Sequence, residues 1–255
     1  MHLTTKGLVL REVNYKESDK ILTVLTAEEG KLTVSARGCR KKGSAIAAAS
    51  QLLVWSEFTL YEYQGRWAVK EAITERQFTG VRSDLDKLSL ASYFAEVTEA
   101  LAEEGQPEPG LLSLTLNSLH ALEKLNLPPA LIKTAFEWKA MALAGYEPMA
   151  DGCAVCGKAE PEEPRINLSA GVIHCAPCHQ GAGEGISMPI TPAALIALQH
   201  FIWGDPKRLF SVNIDPTSLR QLADASEAYL MTQLERGFRT LDFFKSLCSQ
   251  DSNTI

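Results

Sequence analysis

Hydrophobic positions along the chain follow two different rhythms, and the change comes near residue 80. Before it, apolar and polar residues alternate in short runs at 5–11 (around Leu8-Val9-Leu10), 21–26, 31–37, 52–63 and 67–74. A period of two marks a half-buried strand. The alternation is cleanest in 31–37, where Leu32, Val34 and Ala36 point one way and Lys31, Thr33, Ser35 and Arg37 the other. That strand follows the turn-like Glu28-Glu29-Gly30, and Gln64-Gly65 joins the last two runs into a hairpin. Five short strands in the first 80 residues predict a small closed β-barrel, of which the OB-fold is one form.

From residue 83 the period lengthens to that of a helix. Ser83-Asp84-Leu85-Asp86 reads as a capping box with Asp in the usual Glu position, followed by Leu90, Phe94, Val97 and Leu101 on one stripe. Pro107-Glu108-Pro109-Gly110 breaks the chain before a second stripe of Leu112, Leu116 and Leu119. Pro128-Pro129 opens a third helix that runs to about Gly145. Thr191-Pro192 and Asp215-Pro216 pair an N-cap residue with a first-position proline and start two more helices. The later of these continues through Leu219, Ala223, Ser226 and Leu230. Residues 151–189 interrupt the pattern with a stretch rich in Gly, Pro and Cys. The expected class is a multidomain α+β protein. Residues 1–80 form an OB-fold DNA-binding barrel, and 81–255 an all-helical domain carrying a four-cysteine zinc-finger insert at 151–189.

Composition leaves that picture intact: 45% hydrophobic and 22% charged residues suit ordinary globular cores. The opening Met-His-Leu-Thr-Thr-Lys has no apolar signal region behind it, and no run of about 18 apolar residues occurs. The chain is therefore expected in the cytosol, away from membranes. Charge adds an asymmetry. Residues 1–80 carry 12 Lys and Arg against 9 Asp and Glu, a net of +3, and the other 175 carry 13 against 22, a net of −9. A positive barrel joined to an acidic helical region lets one end face phosphates.

Four of the six cysteines lie within 26 residues, as Cys153-Ala-Val-Cys156-Gly and Cys175-Ala-Pro-Cys178. The spacing C-x2-C-x18-C-x2-C is that of a four-cysteine zinc site. Each tight turn presents two thiolates, and two turns close all four positions of one tetrahedral Zn2+. His174 and His179 flank the second pair, but a complete cysteine set leaves them no vacancy. A catalytic zinc needs an open position and a general base. Zinc deaminases show H-x-E with P-C-x-x-C; here Pro177 precedes only the last cysteine, and no H-x-E occurs. The zinc is expected to be structural.

The second candidate site is Ala36-Arg37-Gly38-Cys39-Arg40-Lys41-Lys42-Gly43-Ser44, with four cations in six residues. It leaves the strand whose polar face carries Lys31 and Arg37. In barrels of this type nucleic acid lies across the second and third strands and the adjoining loops. Lys31, Arg37, Arg40, Lys41 and Lys42 are thus the expected phosphate contacts. Tyr15, Trp55, Tyr61, Tyr63 and Trp67 are available to stack bases. Cys39 lies among cations that could make its thiol acidic, yet no partner base is evident and it reads as an incidental loop cysteine. His120 and His200 fall on ordinary helix positions. There is no Walker loop, no G-x-S-x-G and no G-x-G-x-x-G, so no catalytic residue is expected. A zinc-dependent enzyme and a purely protein-binding zinc scaffold are the weaker alternatives.

The order of several segments carries a resemblance. Gly7-Leu-Val-Leu-Arg11, Tyr15-Lys-Glu-Ser-Asp19, Thr26-Ala-Glu-Glu-Gly30-Lys31 and Ala36-Arg37-Gly38 are similar to the N-terminal signature of the RecO family of bacterial DNA repair and recombination mediators. The likeness continues through Leu127-Pro-Pro-Ala130, Phe136-Glu-Trp-Lys139 and Gly145-Tyr-Glu-Pro148 into the cysteine pairs, and so covers nearly the whole chain. Lys16 stands where the family usually has glycine, and Cys39 where a small residue is common. The resemblance implies an N-terminal OB-fold, a helical domain with a zinc-finger insert, and binding to single- and double-stranded DNA. It also implies annealing of complementary strands and a partnership with RecR that helps RecA load onto single strands coated by single-stranded-DNA-binding protein (SSB). A nucleoid-associated place in the cytoplasm follows from the same role. In some members the helical domain recognises the acidic C-terminal tail of SSB, and Lys139 is the candidate to meet that tail.

Overall fold

The structure, a computed structural model, describes residues 2–251, with side chains to residue 248. Its first five strands are β1 (His2–Tyr15), β2 (Asp19–Thr26), β3 (Gly30–Ala36), β4 (Trp55–Tyr63) and β5 (Arg66–Arg76). They close into a barrel in the order β1-β2-β3-β5-β4, with β1 pairing again with β4. All pairings are antiparallel except β3 with β5, where Val34 faces Trp67 and Ser35 faces Ala68. That seam is short, and the start of β3 is covered instead by the chain after α2: the Lys31 N–H donates to the Glu103 carbonyl and the Gly105 N–H to the Lys31 carbonyl, both at 3.3 Å.

β1 is long enough to serve both neighbours: His2–Leu8 runs beside β4 and Gly7–Tyr15 beside β2. The register slips between Val9 and Arg11, a bulge that bends the strand around the barrel. Only the middle of β1 was readable as apolar alternation, because His2, Thr4, Lys6 and Tyr15 face outward. Val9, Leu22, Val24, Val34, Phe58, Leu60 and Val69 fill the interior. Gln64 and Gly65 take φ of +51° and +72°, the paired left-handed conformation that matches the twist of a two-residue hairpin.

The helices are α1 (Thr79–Arg82), α2 (Leu85–Leu101), α3 (Pro109–Lys124), α4 (Pro129–Leu143), α5 (Pro192–Trp203), α6 (Pro216–Gln233) and α7 (Arg239–Asp251). The capping expected at 83–86 is displaced by one residue. Asp84, not Ser83, is the N-cap, and its carboxylate accepts the Lys87 N–H at 3.1 Å. An Asp side chain bonds the N–H three residues on as well as a Ser hydroxyl does, so the pattern alone could not choose between neighbours. Thr191 and Asp215 cap α5 and α6 as expected, each with proline next. Among the described residues no helix is long and apolar enough to cross a membrane.

Two compact units result. Of the described residues, the first holds 2–125 and 238–251, so α2, α3 and α7 belong with the barrel; the second is Asn126–Gly237. In the first, Arg11 on β1 pairs with Glu99 of α2 at 2.9 Å, and Arg76 on β5 pairs with Glu123 of α3 at 2.9 Å. In the second, α4 is buried on nearly every side, from Leu131 to Met141, with Lys139 the exception. Even Lys133 lies inside, its ammonium 2.8 Å from Glu137 and 3.2 Å from Glu227. The insert after α4 folds into a small antiparallel sheet of β6 (Arg165–Asn167), β7 (Val172–His174) and β8 (Ser187–Pro189), with β6 in the middle.

Candidate nucleic-acid interface and metal centre

The barrel carries a groove of about 560 Å3 beside the β1–β2 and β4–β5 turns, next to the start of the basic loop. Tyr15, Tyr61, Tyr63 and Trp67 line it together with Lys16, Arg37 and Arg66. Tyr63 and Tyr15 are well exposed at 62% and 48%, and the Lys16 ammonium lies over the Tyr15 ring, 5.2 Å from its centre. Aromatic faces beside cations are the arrangement that holds unpaired bases and their phosphates. Trp55 stands apart from this set, its indole donating to Glu75 at 2.8 Å.

The expected phosphate contacts divide. Arg37 lines the groove, and Arg40, Lys41 and Lys42 are exposed on the loop that continues from it. Lys31 lies six residues back along β3, roughly 20 Å away at strand rise. Its ammonium is taken by the Glu99 carbonyl at the end of α2, at 2.8 Å. Sequence reading passed over Lys16 and Arg66, since neither belongs to a charge run. Their signal was position: each flanks a hairpin turn, and the two turns meet at the groove. Lys16 also adopts φ of +52°, the left-handed region that favours glycine, so the lysine at that position carries backbone strain.

The basic loop is fixed rather than loose. Asp19 accepts the Gly38 N–H at 2.7 Å, and the Arg40 N–H reaches the Ser18 carbonyl at 3.0 Å. The Arg40 guanidinium also donates to the Lys16 carbonyl at 3.3 Å. The Gly38 N–H first, and next the Ser18 hydroxyl, which donates to Asp19 at 3.0 Å, hold the Asp19 carboxyl below its ordinary value. Gly38 itself has φ of +67°. Cys39, read from sequence as an incidental loop cysteine, turns its side chain into the barrel core, and burial pushes its pKa up despite the nearby Lys20.

In the second unit Cys153, Cys156, Cys175 and Cys178 come together. Their four sulfurs all lie within 4.8 Å of one another, with Cys156 and Cys175 at 3.9 Å. Each pair sits on a tight turn. The Gly157 N–H returns to the Cys153 carbonyl at 2.9 Å with φ at Gly157 of +75°, and the Cys178 N–H returns to Cys175 at 3.0 Å. Backbone N–H groups also point at sulfur, from Cys175 to Cys153 at 3.4 Å and from Glu162 to Cys175 at 3.3 Å. Burial opposes charge on Cys153, but the N–H groups of Cys156, Cys175 and Val155 draw its thiol down to about 6. Cys178 moves the other way, pushed up to about 12 by burial and by sharing protons with Cys156 and Cys153. Sulfurs this close cannot all be thiolates unless a cation sits among them, and the donor set fits a metal ion. His174 is not part of it: its ring bonds the Cys175 carbonyl at 2.8 Å and Ser187 at 2.9 Å.

Fold and sites together define a two-part protein: an OB-like closed barrel, then helices with a four-cysteine cluster able to take a metal. Residues 1–76 match the family model for the recombination protein O N terminal domain, and 82–242 match that for the C terminal domain. The chain belongs to the RecO family of DNA repair proteins. It is 30% identical over 246 residues to the DNA repair protein RecO of Acetivibrio thermocellus, covering 96% of this chain and 97% of that one. It is also 28% identical to RecO of Alkaliphilus metalliredigens, over 97% of this chain and all of that one. The match to RecO of Listeria monocytogenes is 28% over 97% and 98% of the two chains. These relatives are named for repair and not for a catalysed reaction.

Proposed function

We propose that the protein is a non-enzymatic mediator that binds single- and double-stranded DNA through the barrel and anneals complementary strands. On this reading it works with RecR to help RecA load onto SSB-coated single strands, in the cytoplasm at the nucleoid. The observation that carries the DNA reading is the groove in which Tyr15, Tyr61, Tyr63 and Trp67 stand beside Lys16, Arg37 and Arg66. The exposed Arg40, Lys41 and Lys42 extend its positive rim. Annealing fits the same chemistry, because a cationic rim screens the repulsion between two phosphate backbones. RecR, RecA and SSB enter through family membership.

For the metal, zinc is the proposal. Tetrahedral zinc–sulfur bonds of about 2.3 Å put sulfurs about 3.8 Å apart, close to the 3.9 Å between Cys156 and Cys175. Four sulfurs leave no open position, so the ion would be structural. For the SSB tail, Lys139 remains the proposed contact. One of its three donors goes to the Ile202 carbonyl at 2.7 Å, leaving two for a carboxylate. Leu143, one helical turn on, and Trp203 beside Ile202 are both exposed apolar neighbours for the tail's aromatic end.

The test is a labelled single-stranded oligonucleotide titration at two salt concentrations, with metal analysis of the same preparation. Parent protein should bind all sequences similarly and hold one zinc per chain. Reversing Arg40, Lys41 and Lys42 to Glu should weaken binding and make the slope of log K against log salt shallower by about 2, at roughly 0.7 per phosphate contact. Tyr63→Ala should cost about 1–3 kcal/mol by loss of one stacked base. Unchanged affinity and slope in both variants would move the DNA site away from the groove.

A further inference from the structure

An acidic side chain in the lining of a groove proposed to bind phosphates needs a reason, since its charge repels the ligand. Asp19 is such a residue: it lines the groove together with Arg37 and Lys16. It opens β2, directly after the short turn that carries Lys16, while Arg37 and Arg40 belong to the loop after β3, about twenty residues later. Three hydrogen bonds tie the two segments. The Gly38 N–H donates to the Asp19 carboxylate at 2.7 Å, the Arg40 N–H to the Ser18 carbonyl at 3.0 Å, and the Arg40 guanidinium to the Lys16 carbonyl at 3.3 Å. The Ser18 hydroxyl donates to the same Asp19 oxygen at 3.0 Å and so fixes the rotamer of the carboxylate. Only the first of the three bonds between segments has a side-chain acceptor, and it is also the shortest.

Resting on the proposed DNA role of the groove, we infer that Asp19 is a positioning residue for DNA binding, an anion that latches the basic loop against the groove. The latch works because Gly38 can take φ of +67°, which turns its N–H toward the carboxylate within the tight start of the loop. With the bond made, Arg37 faces the groove and Arg40 lies along the β1–β2 turn. Without it the Arg40 bonds and the buried Cys39 still anchor the loop, but Arg37 and Gly38 lose their fixed place, and the order that DNA must restore there is subtracted from affinity. Asp19 thereby exchanges a weak repulsion of phosphate for a preformed row of cations.

Electrostatics and positioning predict opposite signs, which makes the inference testable. If Asp19 acts only through its charge, Asp19→Ala should tighten oligonucleotide binding. If it is the latch, Asp19→Ala should weaken binding about tenfold, the cost of ordering one or two backbone residues on binding. Asp19→Asn keeps an acceptor for the Gly38 N–H and removes the charge, so it should restore binding to at least the parent level. Hydrogen exchange at Gly38 and Arg40 should quicken in the alanine variant and stay slow in the asparagine variant, which a general loss of fold would not produce. Should the alanine variant fail to fold, Asp19→Glu keeps the charge but moves the acceptor by one methylene, and it too should bind weakly. Tighter or unchanged binding by Asp19→Ala, equal weakness in Asp19→Asn, or parent-like binding by Asp19→Glu would each overturn the latch. Tyr63→Ala, measured alongside, separates this from the groove itself: parent-like binding there removes the DNA reading, whereas its loss with an indifferent Asp19 removes only the latch.

Discussion

The two compact units treat charge in opposite ways. In the barrel unit the cations of interest lie at the surface: Arg37, Arg40, Lys41 and Lys42 are exposed along one loop and its groove. In the second unit a cation is spent inside. Lys133 is only 6% exposed and is held between Glu137, itself fully buried, and Glu227. Burial works against the Lys133 charge, but the two carboxylates more than offset it, so its pKa is raised. The barrel closes on backbone pairing and an apolar interior, which leaves side chains at the rim free for a ligand. The second unit has α4 buried on nearly every side, and its insert brings together four thiols that a metal can join. On the proposed reading the exposed cations of the basic loop serve binding, whereas Lys133 serves the interior of its own unit.

The largest effect should come from the cysteines. Replacing Cys175 and Cys178 by serine removes two of the four sulfurs of the proposed zinc site, and a structural zinc would contribute its binding energy directly to folding. We expect a loss of at least about 5 kcal/mol in the second unit, with release of the metal. Hydrogen exchange should rise across β6, β7 and β8, while oligonucleotide affinity of the barrel stays within about twofold, because the ligands belong to a different unit. Metal-free variant protein with parental exchange in the insert would contradict the structural role.

Next in size is Lys133→Ala. It takes away the ammonium that lies 2.8 Å from a carboxylate with no exposure to solvent. Removing one partner of a buried ion pair costs about 3–5 kcal/mol, and denaturant unfolding should show that loss in the second unit. The triple reversal of Arg40, Lys41 and Lys42 should do the converse, leaving stability nearly unchanged and losing DNA affinity. If Lys133→Ala melted like the parent, the contrast between inward and outward cations would collapse.

That contrast also explains what the sequence could and could not tell. Strands declare their faces through a period of two, so Lys31 and Arg37 could be placed opposite Leu32, Val34 and Ala36 before any coordinates. The caps of α5 and α6 and the cysteine pairs were legible for the same local reason: each is set by residues a few positions apart. Helix α4 is different. Apolar residues on all its sides blur the helical stripe, and nothing local says that Lys133 points inward while Lys139 reaches a neighbouring helix end. The groove was half legible. Its aromatics and Arg37 were named, but its assembly from two hairpin turns and a distant loop needs the barrel's closure, and Asp19 gains its role only from that closure. Lys31 shows the limit of the strand argument. Its face was right, yet α2 arrives from 68 residues away to occupy its ammonium.

The smallest predicted effect concerns the anion that the barrel unit buries. The side chain of Glu123 on α3 is 6% exposed. One carboxylate oxygen accepts from Arg76 at 2.9 Å with Lys124 at 3.7 Å, and the other accepts the Gly80 N–H at 3.1 Å. Gly80 permits this approach, since a Cβ there would come within 2.9 Å of the glutamate's own side chain. Arg76 is held in turn by His120 Nδ1, which must accept because a guanidinium can only donate. Burial pushes the Glu123 carboxyl up, but Arg76, the Gly80 N–H and Lys124 outweigh it and leave the pKa below its ordinary 4.5. A carboxyl that is more acidic when folded takes up protons more readily in the unfolded chain, so stability must fall as the solution is acidified. The contribution is complete above about pH 4.5 and disappears as pH drops through the folded-state value. Charge-assisted hydrogen bonds of this kind amount to about 1.5–3 kcal/mol, partly cancelled here by burial. Urea unfolding of the barrel unit at pH 6 and pH 3.5, followed by hydrogen exchange in α1 and α3, measures the difference. In Glu123→Gln the amide oxygen can still accept from Gly80 but cannot titrate, so the gap between the two pH values should shrink while stability at pH 6 falls. A gap that stayed the same would assign the acid sensitivity of this unit to other carboxylates, Glu75 beside Lys6 first among them.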